Sequence, residues 1–288
     1  MLQVARLAPN LLAEATPRVS GFLHEQFTEE GGARDRSGKA DLYYTAFALE
    51  GLLALREELP TQRVRRYLAT FGVGEDLDLV HLACLVRCWA SLGEPEGPGP
   101  EFRPRVLERL EDHRSADGGY AIEPQRAEGT LYHAFLALGL VQDLSASIPD
   151  VDRLAASMDR LRTSDGAYAN AADLPWGTTP STAAAAALMR HLDLPAPPEV
   201  GPWMLARVHE KGGFLALPDA PLPDLLSTAT ALHALAGLEV SFEPVRESCL
   251  DFLDTLWTGR AFTAHWAEDE TDCEYLFYAL LALGHLSL

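Results

Sequence analysis

The sequence contains few basic residues. Its 288 residues include 23 lysines and arginines against 42 aspartates and glutamates, which gives a formal net charge of −19. A nucleic-acid binder needs clustered lysine and arginine to neutralise phosphates, and an anionic lipid surface attracts the same side chains. The composition therefore argues against both classes of partner. The acidity favours solubility, and a basic partner surface is the alternative explanation.

Cysteine and long apolar runs are also scarce. The four cysteines are too few and too scattered in a chain of this length to form a disulfide framework. No run of about 18 apolar residues occurs, so we expect no membrane span. Residues 1–9 lack a charged segment followed by an apolar stretch, so we expect no signal peptide. These absences together predict a cytoplasmic protein.

The chain does contain a unit that is repeated six times. Each unit has an amphipathic helix, a glycine-rich turn and a second helix that is almost wholly apolar. The second helices begin at residues 41, 78, 129, 180, 224 and 272, so the period lies between 37 and 51 residues. Repetition at this period is typical of helical repeat proteins, in which one unit cannot bury its apolar faces alone.

The two helices of a unit differ in their pattern. Segment 103–113 places Val106 and Leu110 on one side and charged residues around the rest, which predicts a surface helix. Segment 131–141 is apolar nearly all round, which predicts burial on more than one side. A closed ring protects such inner helices better than an open stack. We therefore predict an all-α fold, an (α/α)6 toroid that forms a single domain of residues 1–288, with repeats at about 11–60, 61–95, 102–143, 150–193, 199–240 and 244–288.

Most of the second helices begin with an aspartate. Such residues suit the N-cap of a helix, where a carboxylate accepts backbone hydrogen bonds and interacts favourably with the helix dipole. Two carboxylates on opposite sides of a cleft would alternatively serve as the acid and the base of a hydrolase. We expect the glycines of the turns, such as Gly31 and Gly118, to act as helix C-caps and to permit tight turning. The aspartates are Asp41, Asp78, Asp224 and Asp272.

The glycine-rich turns resemble those of a known family. Asp117-Gly-Gly-Tyr120 and Lys211-Gly-Gly-Phe214, each followed by an apolar helix, are similar to the repeat signature of protein prenyltransferase β subunits. Leu222-Pro-Asp224 before the fifth inner helix looks especially like the Rab-type β subunits. The squalene and terpene cyclases share the toroid and resemble the chain more distantly. The resemblance covers most of the chain and implies the toroid fold, although one fold hosts many activities.

The resemblance also implies zinc and diphosphate sites that the sequence does not reproduce. The family holds zinc with an Asp-x-Cys at the start of the fifth inner helix and with a His three residues after an Asp in the sixth. Asp224 is kept, but the Cys falls on Leu226 and the His on Tyr275, and neither is a good zinc ligand. The cations that precede Asp224 in the family fall on residues 217–223, which hold none. We therefore expect no cofactor.

Other residues offer catalytic or metal sites by a different route. The Asp-x-Asp-Asp acid of the cyclases keeps only Asp224 here, so an enzyme would use Asp224 together with Asp272. A displaced triad of Asp224, Cys273 and His265 would hold zinc with one open position. The second inner helix carries a further stripe of soft donors, which we attribute to packing: His81, Cys84 and Cys88.

Aromatic side chains concentrate on four of the six inner helices, whereas the fourth and fifth carry small residues. If these helices surround a hollow, its aromatic wall suits an isoprenoid or another long lipid chain. The alternative is that the rings fill the hollow themselves. The residues expected to bind a ligand are Tyr44, Phe47, His81, Tyr132, Phe135, Tyr275 and Tyr278.

The leading hypothesis is a prenyltransferase-like toroid that binds an isoprenoid or other apolar ligand, or a protein partner, in or over the centre of the ring. The family resemblance implies a helical protein as that partner. One alternative is an active prenyltransferase or terpenoid cyclase with a non-standard site. Another is a hydrolase that uses the carboxylates of the inner helices.

Overall fold

The computed structural model describes all 288 residues and contains fourteen α-helices. The inner layer consists of α4 (Leu42–Leu55), α6 (Leu79–Ser91), α8 (Leu131–Asp143), α10 (Thr179–His191), α12 (Leu225–Gly237) and α14 (Cys273–Leu286). The outer layer consists of α3 (Thr16–Gln26), α5 (Thr61–Ala69), α7 (Phe102–Asp112), α9 (Val151–Asp159), α11 (Val200–Leu205) and α13 (Arg246–Leu256). Two short helices precede them, α1 (Leu2–Ala5) and α2 (Pro9–Leu12).

The inner helices form a closed ring. Each one contacts the inner helix before it and the one after it, and α14 contacts α4. Closure buries the inner helices on both sides, which explains why they are apolar nearly all round. This arrangement confirms the predicted toroid. No helix combines the length and the apolar character that a bilayer span requires.

The inner helices begin at capped residues, and all six N-caps lie at the same end of the ring. Asp41 accepts hydrogen bonds from the backbone of Tyr43 and Tyr44, and the aspartates at 78, 224 and 272 do the same for their helices. Thr130 and Thr178 take this role in α8 and α10, so residues 129 and 180 are not the caps. Each cap contributes about 1 kcal/mol to stability.

The glycines of the turns lie elsewhere than expected. Helix α3 ends at Phe27, whose backbone is extended, and Gly31 follows four residues later with a φ of 107°. Phe27 forms an antiparallel bridge with Ala33, so Gly31 lies in the tight turn between them. A Cβ at Gly31 would also collide with the carbonyl of Arg63. At Gly31 the C-cap prediction is therefore wrong and the tight turn is confirmed, because the chain reverses through a bridged turn before it enters the inner helix.

Short strands and 3-10 turns complete the connections. Strand β1 (Ala33–Arg34) pairs antiparallel with β2 (Ala40–Asp41), and β3 (Phe214–Leu215) pairs with β4 (Pro223–Asp224). Each pair ends directly at the N-cap of an inner helix, so the hairpins fix where α4 and α12 begin. The 3-10 turns span Ala13–Ala15 and Glu243–Val245.

Helix α1 lies across the end of the ring opposite to the N-caps. It contacts α14 and α4, and its Ala5 is fully buried. Gly284 of α14 permits this approach, because a Cβ there would collide with the carbonyl of Val4. The first six residues therefore help to close one end of the centre of the ring.

Candidate functional site

The centre of the ring is hollow. It holds a cavity of about 790 Å³, within the range of roughly 300–1,000 Å³ that is typical of small-molecule sites. Its lining runs along α4 from Tyr43 to Leu53, a rise of about 15 Å at 1.5 Å per residue. The aromatic side chains therefore do not fill the ring.

The end of the cavity nearer to the N-caps has an aromatic wall, which we call the aromatic half. The Tyr43 ring lies edge-on to Phe47 with centroids 5.0 Å apart, and Phe47 lies 5.6 Å from Tyr278. Contacts of this kind hold the rings in place before any ligand arrives. The aromatic half consists of Tyr43, Phe47, Tyr132, Phe135, Phe277 and Tyr278.

Four of the seven residues expected to bind a ligand line this cavity, namely Phe47, Tyr132, Phe135 and Tyr278. The other three, Tyr44, His81 and Tyr275, do not. They lie within the first turn of their helices, beside the N-caps. We call this end the rim and define it by Asp41, Asp78, Asp224 and Asp272.

His81 is held between two carboxylates of the rim. Its Nε2 lies 3.5 Å from Asp41 Oδ2 and its Nδ1 lies 2.8 Å from Asp78 Oδ1. Hydrogen bonding to Asp41, together with Asp78, raises the pKa of His81 to about 9, so the ring is charged at neutral pH. The stripe that His81 begins does not converge, because Cys84 lines the cavity and Cys88 is buried against the Leu42 carbonyl.

Asp272 and Asp224, the two carboxylates proposed as catalytic, are both engaged at the rim. Asp272 caps α14 and accepts a 2.9 Å hydrogen bond from Arg36 Nε, while the Arg36 guanidinium lies over the Tyr275 ring. Asp224 accepts hydrogen bonds of 2.7 Å from both the backbone and the hydroxyl of Ser227. Burial raises the pKa of Asp224. Neither side chain lines the cavity.

The displaced zinc triad does not assemble. The structure brings no three His, Cys, Asp or Glu side chains into an arrangement that would hold a metal ion. Cys273 is buried, and burial raises the pKa of its thiol, which disfavours the thiolate that zinc requires. Leu226 and Tyr275, which the family resemblance aligns with the other zinc ligands, are poor ligands. The residues present do not fit a zinc ion.

The carboxyl group of Glu274 contacts the aromatic half directly. The hydroxyl of Tyr43 donates a 2.7 Å hydrogen bond to Glu274 Oε1. Burial raises the pKa of Glu274, which favours the protonated form relative to water. The sequence places Glu274 near the other carboxylates of the sixth unit. Its hydrogen bond to Tyr43, 231 positions away, forms only because the ring is closed.

The opposite end of the cavity is polar, and sequence reasoning missed it. Arg87 of α6 donates from Nη1 to Glu50 of α4 at 2.7 Å and from Nε to Asp143 of α8 at 2.5 Å. Burial raises the pKa of Asp143. We call this end the floor and define it by Arg6, Glu50, Arg87, Asp143 and His233. Its sequence signal is a single arginine in an otherwise apolar helix.

Two further features complete the floor. Arg6 of the α1 segment lines the cavity, and its Nε is buried without a hydrogen-bond partner. His233 Nδ1 lies 3.0 Å from Nε2 of His285 on the next inner helix. Burial lowers the pKa of His233 to about 3 and that of His285 to about 4, so both rings are neutral.

Comparison with known proteins identifies the family. The model of the prenyltransferase alpha-alpha toroid domain matches residues 14–86 and 181–287, which is more than half of the chain. No curated protein sequence matches. The solved structure of protein geranylgeranyltransferase-I from Candida albicans, complexed with GGPP, superposes with a TM-score of 0.70 at 14% identity and covers 92% of this chain and 89% of that chain.

Two more solved structures are similar over nearly their whole length. A variant of the type II terpene cyclase MstE from Scytonema, in complex with its substrate geranylgeranyl dihydroxybenzoate, has a TM-score of 0.66 at 15% identity and covers 97% of each chain. A protein from Actinoplanes has a TM-score of 0.60 at 15% identity and covers 95% of this chain and 98% of its own. At these identities the likeness shows the fold alone. With the family match, the chain belongs to the prenyltransferase alpha-alpha toroid domain family.

Proposed function

We propose that the protein binds an isoprenoid or a similar apolar chain in its central cavity. The observation that carries the proposal is the cavity itself, which is already formed and is walled by aromatic rings at one end. Seventeen of its 28 lining residues are hydrophobic, so an apolar chain that enters it leaves water for an apolar surface. Each methylene buried in this way contributes about 0.8 kcal/mol to binding.

The ligands of similar structures support an isoprenoid. The Candida enzyme is complexed with GGPP, and the MstE variant holds a substrate with a geranylgeranyl group. The family resemblance aligns Leu226 and Tyr275 with zinc ligands of the prenyltransferases, so we favour binding over zinc-dependent prenyl transfer. A chain bound beside Phe47 and Phe135 would need neither a metal ion nor a diphosphate site.

Calorimetry with geraniol, farnesol and geranylgeraniol tests this proposal. Affinity should rise with chain length until the cavity is full, because each added unit buries more apolar surface. Ala187→Trp, which places an indole in the cavity, should abolish binding. Ala236→Trp is the matched control, since Ala236 is exposed on α12 and does not line the cavity. Equal binding by wild type and Ala187→Trp would exclude the cavity as the site.

We propose proton donation to an alkene as a second candidate, on the basis of Glu274. Its carboxyl group is half-buried, which raises its pKa, and it accepts a hydrogen bond from Tyr43 of the aromatic half. The proton would add to a double bond, and loss of a proton at the end would give a cyclic isomer of the substrate. In deuterated water, the cyclised geranylgeraniol should carry deuterium with wild type and with Glu270→Gln, and should not form with Glu274→Gln. Turnover by Glu274→Gln would remove this candidate.

A further inference from the structure

We infer that the ligand of the cavity is an apolar chain with an anionic head group, and that the head binds at the floor while the tail occupies the aromatic half. The inference rests on the proposed binding function and adds the class of head group and the orientation. It also places the head at the end of the ring opposite to the rim.

The distribution of cations carries the first step. Arg6 and Arg87 are the only arginines or lysines that line the cavity, and both belong to the floor. Arg87 is paired with Glu50 and Asp143, whereas Arg6 has only the amide of Gln3 as a hydrogen-bond partner. Arg6 is therefore an arginine of the floor that no carboxylate of the protein neutralises.

Donors without acceptors carry the second step. Arg87 Nη2 donates to no protein atom and is not fully buried, so a ligand can reach it. Of the Arg6 nitrogens, Nε is fully buried, Nη1 donates to Gln3 and Nη2 donates to no protein atom. A ligand that supplies acceptors to these two Nη2 groups stabilises the site. Gly139 leaves the space beside Arg87 Nη2 open, since a Cβ there would lie 3.2 Å from that nitrogen. The oxygens of a carboxylate or phosphate would accept from both guanidinium groups.

The orientation follows from the charges at the two ends. The four capping carboxylates of the rim, with Glu274 beside them, outnumber its cations Arg36 and His81, so an anionic head would be repelled there. The floor also reaches solvent, because Gln142 and His191 line the cavity and are exposed. A charged head can keep part of its hydration at that opening, while the tail leaves water completely.

Matched ligands separate this inference from the proposed function. Calorimetry compares geranylgeranoic acid and geranylgeranyl monophosphate with geranylgeraniol, which has the same chain and no charge. We expect both anions to bind at least about tenfold more tightly than the alcohol, as charge-assisted hydrogen bonds predict. The tighter of the two identifies the head. If the alcohol binds as well as the anions, the inference fails and the proposed function stands. If none of the three binds, the proposed function fails.

Variants of the floor test the orientation. Arg6→Met should reduce the preference for the acid over the alcohol to less than about threefold, whereas Arg66→Met, on an exposed position of α5, should leave it unchanged. Asp143→Asn removes a carboxylate that competes for Arg87, so it should increase the preference for the acid over the alcohol. A purely structural role of these residues would weaken both ligands equally. That result, or an unchanged preference in Arg6→Met, would overturn the inference.

Discussion

Acidification should destabilise the protein through His233 and His285. His285 is buried and His233 is half-buried at the end of the cavity where α12 meets α14, and desolvation lowers the pKa of His233 to about 3 and that of His285 to about 4. In the unfolded chain an imidazole titrates near its ordinary value of about 6.5. Below that pH the unfolded state binds protons that the folded state does not, so the free energy of unfolding falls as the pH falls.

The size of the effect follows from the two pKa shifts. Below pH 6.5, each histidine lowers the free energy of unfolding by about 1.4 kcal/mol per pH unit. This decrease continues until the pH reaches the pKa of that histidine in the folded protein. Between pH 6.5 and 4.5 the two rings together therefore account for a loss of about 5 kcal/mol. That is a large part of the 5–15 kcal/mol by which most domains are stable.

Urea unfolding at pH 7.0, 6.0, 5.0 and 4.5 measures this loss directly. The double variant His233→Gln, His285→Gln keeps polar side chains of similar size at the 3.0 Å contact but cannot be protonated in this range. Its free energy of unfolding should fall much less between pH 6.5 and 4.5 than that of wild type. His24→Gln, in the outer helix α3, is the control and should keep the wild-type slope. If the double variant keeps that slope as well, the burial argument is refuted.

Three further predictions concern the rim and the turns. The pKa of His81 is raised to about 9, so the stability that its charged ring contributes is fully present below pH 6.5 and is lost as the pH rises through 9. Between pH 7 and 10, the urea midpoint of wild type should therefore fall more than that of His81→Gln. Gly31 and Gly38 both have a positive φ, so replacing either one with alanine should lower the free energy of unfolding by about 1–2 kcal/mol. Only a Cβ at Gly31 would also collide with a neighbouring carbonyl, so Gly31→Ala should unfold at the lower urea concentration. Tyr43→Phe removes the hydrogen bond to Glu274 and should cost about 1–3 kcal/mol, measured by the same method; no loss would contradict the buried bond.

The sequence predicts the architecture well because repetition and burial leave strong signals. Six apolar segments at similar spacing, each introduced by a capping residue, are enough to infer inner helices, and their apolar character on all sides indicates a closed ring. The same pattern places Phe47 and Phe135 correctly in the lining of the cavity.

The face that each inner helix turns to the cavity is much harder to read. Tyr44, His81 and Tyr275 each lie three residues after an N-cap and do not line the cavity, whereas Tyr43 and Tyr132, two residues after theirs, do. One position along a helix of 3.6 residues per turn rotates the side chain by about 100°. In helices that are apolar nearly all round, the sequence pattern does not mark which face points inward.

The floor was missed because its residues are far apart in the chain. Arg87 meets Glu50 across 37 residues and Asp143 across 56, and Arg6 arrives from a short segment that precedes the first repeat. No local pattern connects these positions. Only the closure of the ring, with α1 laid across it, brings their charges together.

The contact between α14 and α4 has a consequence for how the number of units can change. An open stack of repeats gains or loses a unit at its end and gives up a single interface. In this protein every inner helix has two inner neighbours, so removal of one unit breaks two interfaces and leaves a gap that the remaining five cannot span without new angles between them. The position of the chain break is freer, because the first and last helices lie side by side. A circular permutant that joins them and opens a connection elsewhere would preserve all six contacts.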